Sequence, residues 1–165
     1  MMKNTDIRAK SFETIYVSRQ LVYGASKRTT HVKTAIALID KTLPEFRKLL
    51  NLPDRLVFRI SRIKGQFSGK YCSSDNVVLV SPVVKWDRLL ETIAHELVHA
   101  EQYHECRLAS VFMSRKGWVH QWNGETILSK GTTYNSYRNQ PWEQEAFGRQ
   151  KELADKVIEL CGGME

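Results

Sequence analysis

Cysteine is scarce in this sequence: three residues among 165, Cys72, Cys106 and Cys161, all far apart. An odd number with no CxxC pair makes neither a disulfide framework nor a cysteine zinc site, and it points to a reducing, cytoplasmic setting. Long apolar runs are missing too. Nothing approaches the roughly 20 residues that a membrane-spanning helix needs, so no membrane partner is expected. The opening MMKNTDIRAKSFE lacks the apolar core of a secretory signal. Internal repeats, low-complexity linkers and a phosphate-cradling glycine loop are absent. Neither Cys106 nor Ser110 has a base placed to make it a nucleophile.

What remains is a globular composition, 42% hydrophobic and 26% charged, read as one domain over 1–165 with an irregular segment over about 1–28. The net charge of +7 can draw nucleic acid to the surface. The basic residues are dispersed (Lys27-Arg28, Arg47-Lys48, Arg59 to Lys70, Arg115-Lys116) and form no arm, so attraction without sequence readout is the expectation.

Periodicity orders the elements. Val32, Ala35, Ile36, Leu38 and Ile39 fall at helical spacing after Thr29 or Thr30 as cap. Pro44 interrupts the stripe before Phe46, Leu49 and Leu50 resume it, giving one kinked helix or two consecutive ones. Leu56, Phe58 and Ile60 alternate as a strand does. Lys70–Cys72 and Asn76–Ser81 are two further strands, the second stopped by Pro82. Asp87 can cap a long helix from Arg88 to about Glu105. Asn123-Gly124 joins Gly117–Trp122 to Glu125–Leu128 as a hairpin. A polar stretch, Ser129 to Asn139, leads to Pro141, which opens a last helix running to about Leu160. The expected fold is α+β: N-terminal helices, a small and mostly antiparallel sheet, a central helix, a hairpin and a C-terminal helix.

The central helix carries His95-Glu96-Leu97-Val98-His99. Four residues return a helix to nearly the same face, so the two imidazoles can take adjacent corners of a tetrahedral zinc site, one zinc per chain. Glu96, about a quarter turn round, can approach a water on the metal without being a ligand and accept its proton. Leu90, Ile93, Ala94, Leu97 and Val98 make this helix apolar over much of its circumference, and a buried histidine pair needs a partner.

A third ligand must come from elsewhere. His104 lies five residues past His99, about 140° round the helix. The places where a metzincin has its glycine and third histidine hold Gln102 and Glu105. His120, in the hairpin, is one alternative. In PWEQEAFGRQKELADKVIEL, however, Glu143, Ala146, Phe147, Gln150, Leu153, Ala154, Val157 and Leu160 form one largely apolar stripe, while Glu145, Arg149, Glu152, Lys156 and Glu159 form a charged one. Glu143 therefore faces inward as the third ligand, and Glu145 faces solvent. Without metal, the Glu143 carboxylate should still lie within a few ångströms of both imidazoles. Trp118, Trp122 and Trp142 are expected in the core and cleft wall.

With these residues the chain resembles the zincin metallopeptidases of the gluzincin type, whose second helix returns a glutamate ligand. Glu143-Gln144-Glu145-Ala146 matches their Glu-x-x-Ala form, while Phe147 stands where many relatives have an aspartate that steadies a histidine. The size and element order are similar to minigluzincins, ImmA/IrrE-type and SprT-like domains. His95 to Ala100 is very close to the SprT-like active helix, and Tyr137 to Glu143 is similar to small phage-encoded metallopeptidase-like proteins. The resemblance implies a zinc peptidase acting on protein or peptide. It also implies that Val77, Val78, Leu79 and Val80 edge the cleft and pair with substrate, and that Tyr134 or Tyr137 steadies the oxyanion. The alternatives are a non-catalytic zincin-fold module that contacts nucleic acid through its basic surface, or a SprT-like protease acting on DNA-bound proteins.

Overall fold

The computed structural model describes residues 7–8, 14–17, 26–61, 63, 67–81, 84–115, 117–128 and 133–163. The expected strand stop at Pro82 and the polar residues 129–132 lie outside them. The described elements are β1 (Ile7–Arg8), β2 (Thr14–Val17), α1 (Ser26–Leu49), β3 (Val57–Ile60), β4 (Gly69–Cys72), β5 (Val77–Val80), α2 (Trp86–His104), β6 (Leu108–Met113), β7 (Gly117–Trp122), β8 (Glu125–Leu128), α3 (Tyr134–Arg138) and α4 (Pro141–Leu160). The arrangement is α+β, as expected, and most of its strand pairings are antiparallel.

The first sheet runs β1-β2-β3-β5-β4. β2 and β3 are parallel and joined by α1, a crossover long enough to bring the chain back in the same direction. β3 and β5 are also parallel, whereas β1 and β4 pair antiparallel at the two edges. Within 1–28, expected as an irregular segment, the described residues are those of β1 and β2 and the start of α1 at Ser26; the rest of that segment lies outside the described residues. β2 gains its order from β3, a partner some 40 residues away that local patterning does not reveal.

α1 is a single helix through Pro44. The proline forfeits one rung of backbone bonding, but Val32, Ala35, Ile39, Leu43 and Phe46 keep one buried stripe on both sides of it. Since the helix starts at Ser26, Thr29 and Thr30 lie inside it and are not caps. α2 likewise starts before its expected cap: Lys85 is the N-cap residue, with no side-chain hydrogen bond, so Asp87 is already helical. The core lies between the first sheet and the helices, with Ile39, Phe46, Leu56, Phe58, Ile60, Ile93 and Leu97 fully shielded.

The second sheet, β6-β7-β8, is antiparallel. Its Asn123-Gly124 turn has φ of 49° and 86°, the left-handed pair that a two-residue hairpin of matching twist requires. The strand β6 is not visible to periodicity. LASVFM has no polar alternation, and beyond Leu108 it is only partly buried or exposed.

Candidate metal centre

The site is built where α2 meets α4. α2 buries Ile93, Ala94, Leu97, Val98 and Ala100, and with them the polar His95, Glu96, His99 and Gln102. α4 opens at Pro141 and immediately buries Trp142, Glu143 and Ala146. Ala146, small and fully covered, lets the two helices approach closely at the level of the histidines. Glu143 is 3% exposed. A carboxylate so placed needs positive partners or a cation.

Donor atoms of three residues converge. His95 Nε2 and His99 Nε2 are 3.2 Å apart. Glu143 Oε2 is 3.3 Å from His95 Nε2, and Oε1 is 3.3 Å from His99 Nε2. Metal bonds of about 2.0–2.2 Å in a tetrahedral site put neighbouring donors roughly 3.3–3.6 Å apart. Among the described residues this is the group that could hold a metal ion.

The hydrogen bonds behind the rings explain why a cation fits. His95 Nδ1 faces Gln150 Oε1 at 3.0 Å, and His99 Nδ1 faces Gln102 Oε1 at 2.8 Å. Amide oxygens only accept, so with Oε1 facing each ring Nδ1 is the donor, and each Nε2, when it carries no proton, turns a lone pair inward. Two lone pairs and a carboxylate then face one point. Glu143 Oε2 is buried and accepts no hydrogen bond among the described residues. Burial would raise the Glu143 pKa, but the facing imidazoles and the Tyr137 hydroxyl hold it down to about 2. Burial opposes charging His99, yet Glu143 and Glu96 outweigh it and raise its pKa, so a proton there partly serves the charge a metal would supply.

Glu96 stands beside this triangle and outside it. Burial raises its pKa, only partly offset by His99 and His95 and by the backbone N–H of Tyr71. The carboxylate lies against β4. A methyl group at Gly69 would come within 2.7 Å of Glu96 Oε1 and 2.8 Å of Thr92 Cγ2, so only glycine allows this approach. A cleft of about 300 Å³ opens here, with Phe67, Gly69, His95, Glu96, Tyr137 and Gln150 among its walls.

Val77 to Val80, expected to edge the cleft, lie inside the sheet. They pair with β3 on one side and β4 on the other, so the backbone groups of β5 are already used, and Val78 and Val80 point into the core. The strand that edges the cleft is β4. Tyr137, on the short helix α3, reaches the site, where burial and then Glu143 and Glu96 raise its pKa; its ring packs edge-on against Phe67, centroids 5.4 Å apart. Tyr134 stands exposed at the cleft rim.

The placement of Glu145 is a correction. It turns away from the metal group as expected, but not into solvent. Arg107 Nη1 and Nη2 donate to it at 2.6 and 3.1 Å, and Arg149 Nη1 at 2.7 Å. Arg149 also donates to buried Glu101, whose other oxygen accepts from the Asn51 backbone N–H. Helical periodicity places a residue on a face of its own helix but does not reveal what packs over that face. Leu160, assigned to the inward stripe, is exposed because α4 ends there. Trp118 is also exposed, while Trp142 is buried against Trp122 and His120. His120 lies apart from the metal group, its Nδ1 2.8 Å from Ser110 Oγ. His104 sits exposed at the end of α2.

Gln102 and Gln150 are the site residues that the sequence reading passed over. Gln102 follows His99 by three on the same face, and Gln150 follows Glu143 by seven, so helical spacing contains the signal for both. Compared with known proteins, the chain matches no family model, no curated protein and no solved structure.

Proposed function

We propose that this chain is a zinc-dependent peptidase in which Glu96 is the general base. The observation that carries the reading is the buried triangle of His95, His99 and Glu143 with Glu96 beside it on the cleft wall. Two imidazoles and one carboxylate are a donor set typical of catalytic zinc, which leaves a coordination position open. Zinc bound there would act as a Lewis acid that polarises a carbonyl and lowers the pKa of water. Glu96 receives the proton from the attacking water, a task that suits a carboxylate whose pKa burial has raised. Tyr137, protonated at neutral pH, offers its hydroxyl to the oxygen that becomes negative. The outer edge of β4, from Gly69 to Tyr71, offers an extended peptide a place to pair next to these groups. Free Cys72, Cys106 and Cys161 suit a cytoplasmic setting.

The test uses full-length protein loaded with one equivalent of zinc and an unfolded, fluorescence-quenched protein substrate. Wild type should cleave it. Glu96→Gln should keep its zinc and lose about 10²–10⁴-fold in rate, the usual contribution of a general base. Absence of cleavage by zinc-loaded wild type would remove the peptidase reading.

One observation favours a second reading, a module that binds nucleic acid with or without peptidase activity. Phe112 and Trp118 are 62% and 53% exposed on the second sheet, in edge-to-face contact, and Arg115 is exposed in the turn between their strands, in a chain of net charge +7. A shift in the mobility of single-stranded DNA that weakens with salt and is unchanged in Glu96→Gln would support it. No shift at low salt would remove it.

A further inference from the structure

The metal-binding reading accounts for His95, His99 and Glu143, but not for why a fully covered amide sits behind them. Gln102 is 0% exposed. Both ends of its side chain are engaged: Nε2 donates to the Trp142 carbonyl at 3.0 Å, and Oε1 lies 2.8 Å from His99 Nδ1. An amide nitrogen cannot accept a hydrogen bond, so the Trp142 carbonyl decides which way the amide faces. The oxygen must then face His99, and Nδ1 must be its donor. The Trp142 carbonyl, in turn, belongs to the peptide unit that supplies the backbone nitrogen of Glu143.

We infer that Gln102 is a positioning residue that makes a metal site of two helices: through one planar amide it selects the His99 tautomer with Nε2 inward and seats the peptide from which Glu143 projects. The inference rests on the reading of this group as a metal centre. No other side chain of this length supplies both functions. Glutamate could accept from Nδ1 but would repel the Trp142 carbonyl. Methionine could do neither, and asparagine is one methylene short of spanning the two partners. The contact with His95 is of a simpler kind, since among the described residues the Gln150 amide is hydrogen-bonded only to the imidazole.

Zinc affinity, by competition with a chromophoric chelator, and the ¹H–¹⁵N spectrum of the zinc-loaded imidazoles test this together. Wild type should show a slowly exchanging His99 Nδ1–H with Nε2 coordinated. Gln102→Met, similar in volume, should bind zinc about 10–100-fold more weakly, the range for loss of an outer-shell partner, and its Nδ1–H should exchange fast. Gln102→Glu should keep the protected Nδ1–H and still lose affinity, because only the Trp142 link is broken. A merely structural glutamine would change the unfolding midpoint and leave affinity and Nδ1–H exchange alone. Gln102→Met binding zinc within twofold of wild type overturns the role of Gln102 while the metal reading stands. Wild type that takes up no zinc overturns the metal reading and this role with it. If Gln102→Met fails to fold, the wild-type spectrum still decides: His99 coordinated through Nδ1, with its proton on Nε2, overturns the inference.

Discussion

Two glutamates separated by one residue do different work here, and burial separates them. Glu143 has two imidazole nitrogens at 3.3 Å and, among the described residues, no ion pair with lysine or arginine. Glu145 has two guanidinium groups that hold its pKa down against the opposing effect of burial. Glu143→Ala should therefore weaken zinc binding by more than the roughly 10–100-fold that loss of an outer partner costs. Glu145→Ala should still bind one zinc, but leaves Arg107 and Arg149 short of a partner and should lower stability by about 1–3 kcal/mol in a denaturant titration. If Glu145→Ala lost zinc while Glu143→Ala kept it, the assignment of the third donor would be reversed. Tyr137→Phe addresses the proposed chemistry separately. Removing one oxyanion donor should cut kcat by about 10²–10³-fold with zinc affinity within a few-fold of wild type.

At the scale of elements, the site depends on how closely β4 approaches α2. Gly69→Ala would place a methyl group 2.8 Å from both Glu96 Cγ and Thr92 Cγ2, so either the strand or the carboxylate must move. Cleavage should fall in this variant while its zinc content stays at one per chain. A fully active Gly69→Ala would mean that Glu96 does not need its present seat. The hairpin provides the contrast. Gly124 has φ of 86° with open space around it, so Gly124→Ala should cost about 1 kcal/mol through backbone strain alone and leave zinc binding and cleavage untouched. Elements also differ in how much their sequence reveals. The stripe of α4 and the Asn-Gly turn are local patterns and read directly. The role expected of Val77 to Val80 does not follow from local pattern, because whether a strand lies inside or at the edge of a sheet depends on chain far away in sequence.

For the whole molecule, protonation ties the site to stability. In the metal-free protein the pKa of Glu143 is depressed to about 2 and that of Glu145 is also lowered. Depressed carboxylates stabilise the fold above their unfolded pKa of about 4.3, and that contribution is lost as pH falls towards 2. The raised pKa of His99 has the opposite sign: its contribution is present below about 6.5 and is lost as pH rises through the folded value. Metal-free stability should thus be greatest at mildly acidic pH, and Glu143→Gln should flatten both limbs in a denaturation series from pH 2 to 9. An unchanged profile in that variant would mean that Glu143 and His99 are not coupled as their distance implies. Bound zinc should shift the balance, since protons compete for the same three donors and acid should release the metal.

The sequence by itself determined what short-range geometry controls. Four residues bring His95 and His99 to one face, helical spacing turns Glu143 inward and Glu145 away, alternation marks the strand around Phe58, and a short apolar run marks the one around Val78. These follow from the chain's local repeat, which any helix or strand must obey. Only the tertiary structure decided what meets across those faces: Gln102 between His99 and the Trp142 carbonyl, Gly69 against Glu96, Arg107 over Glu145, and β4 in place of β5 at the cleft. Each of these contacts joins elements whose separation in sequence carries no period. Close packing of side-chain volumes and the pairing of buried polar groups select such contacts, and both are properties of the assembled fold.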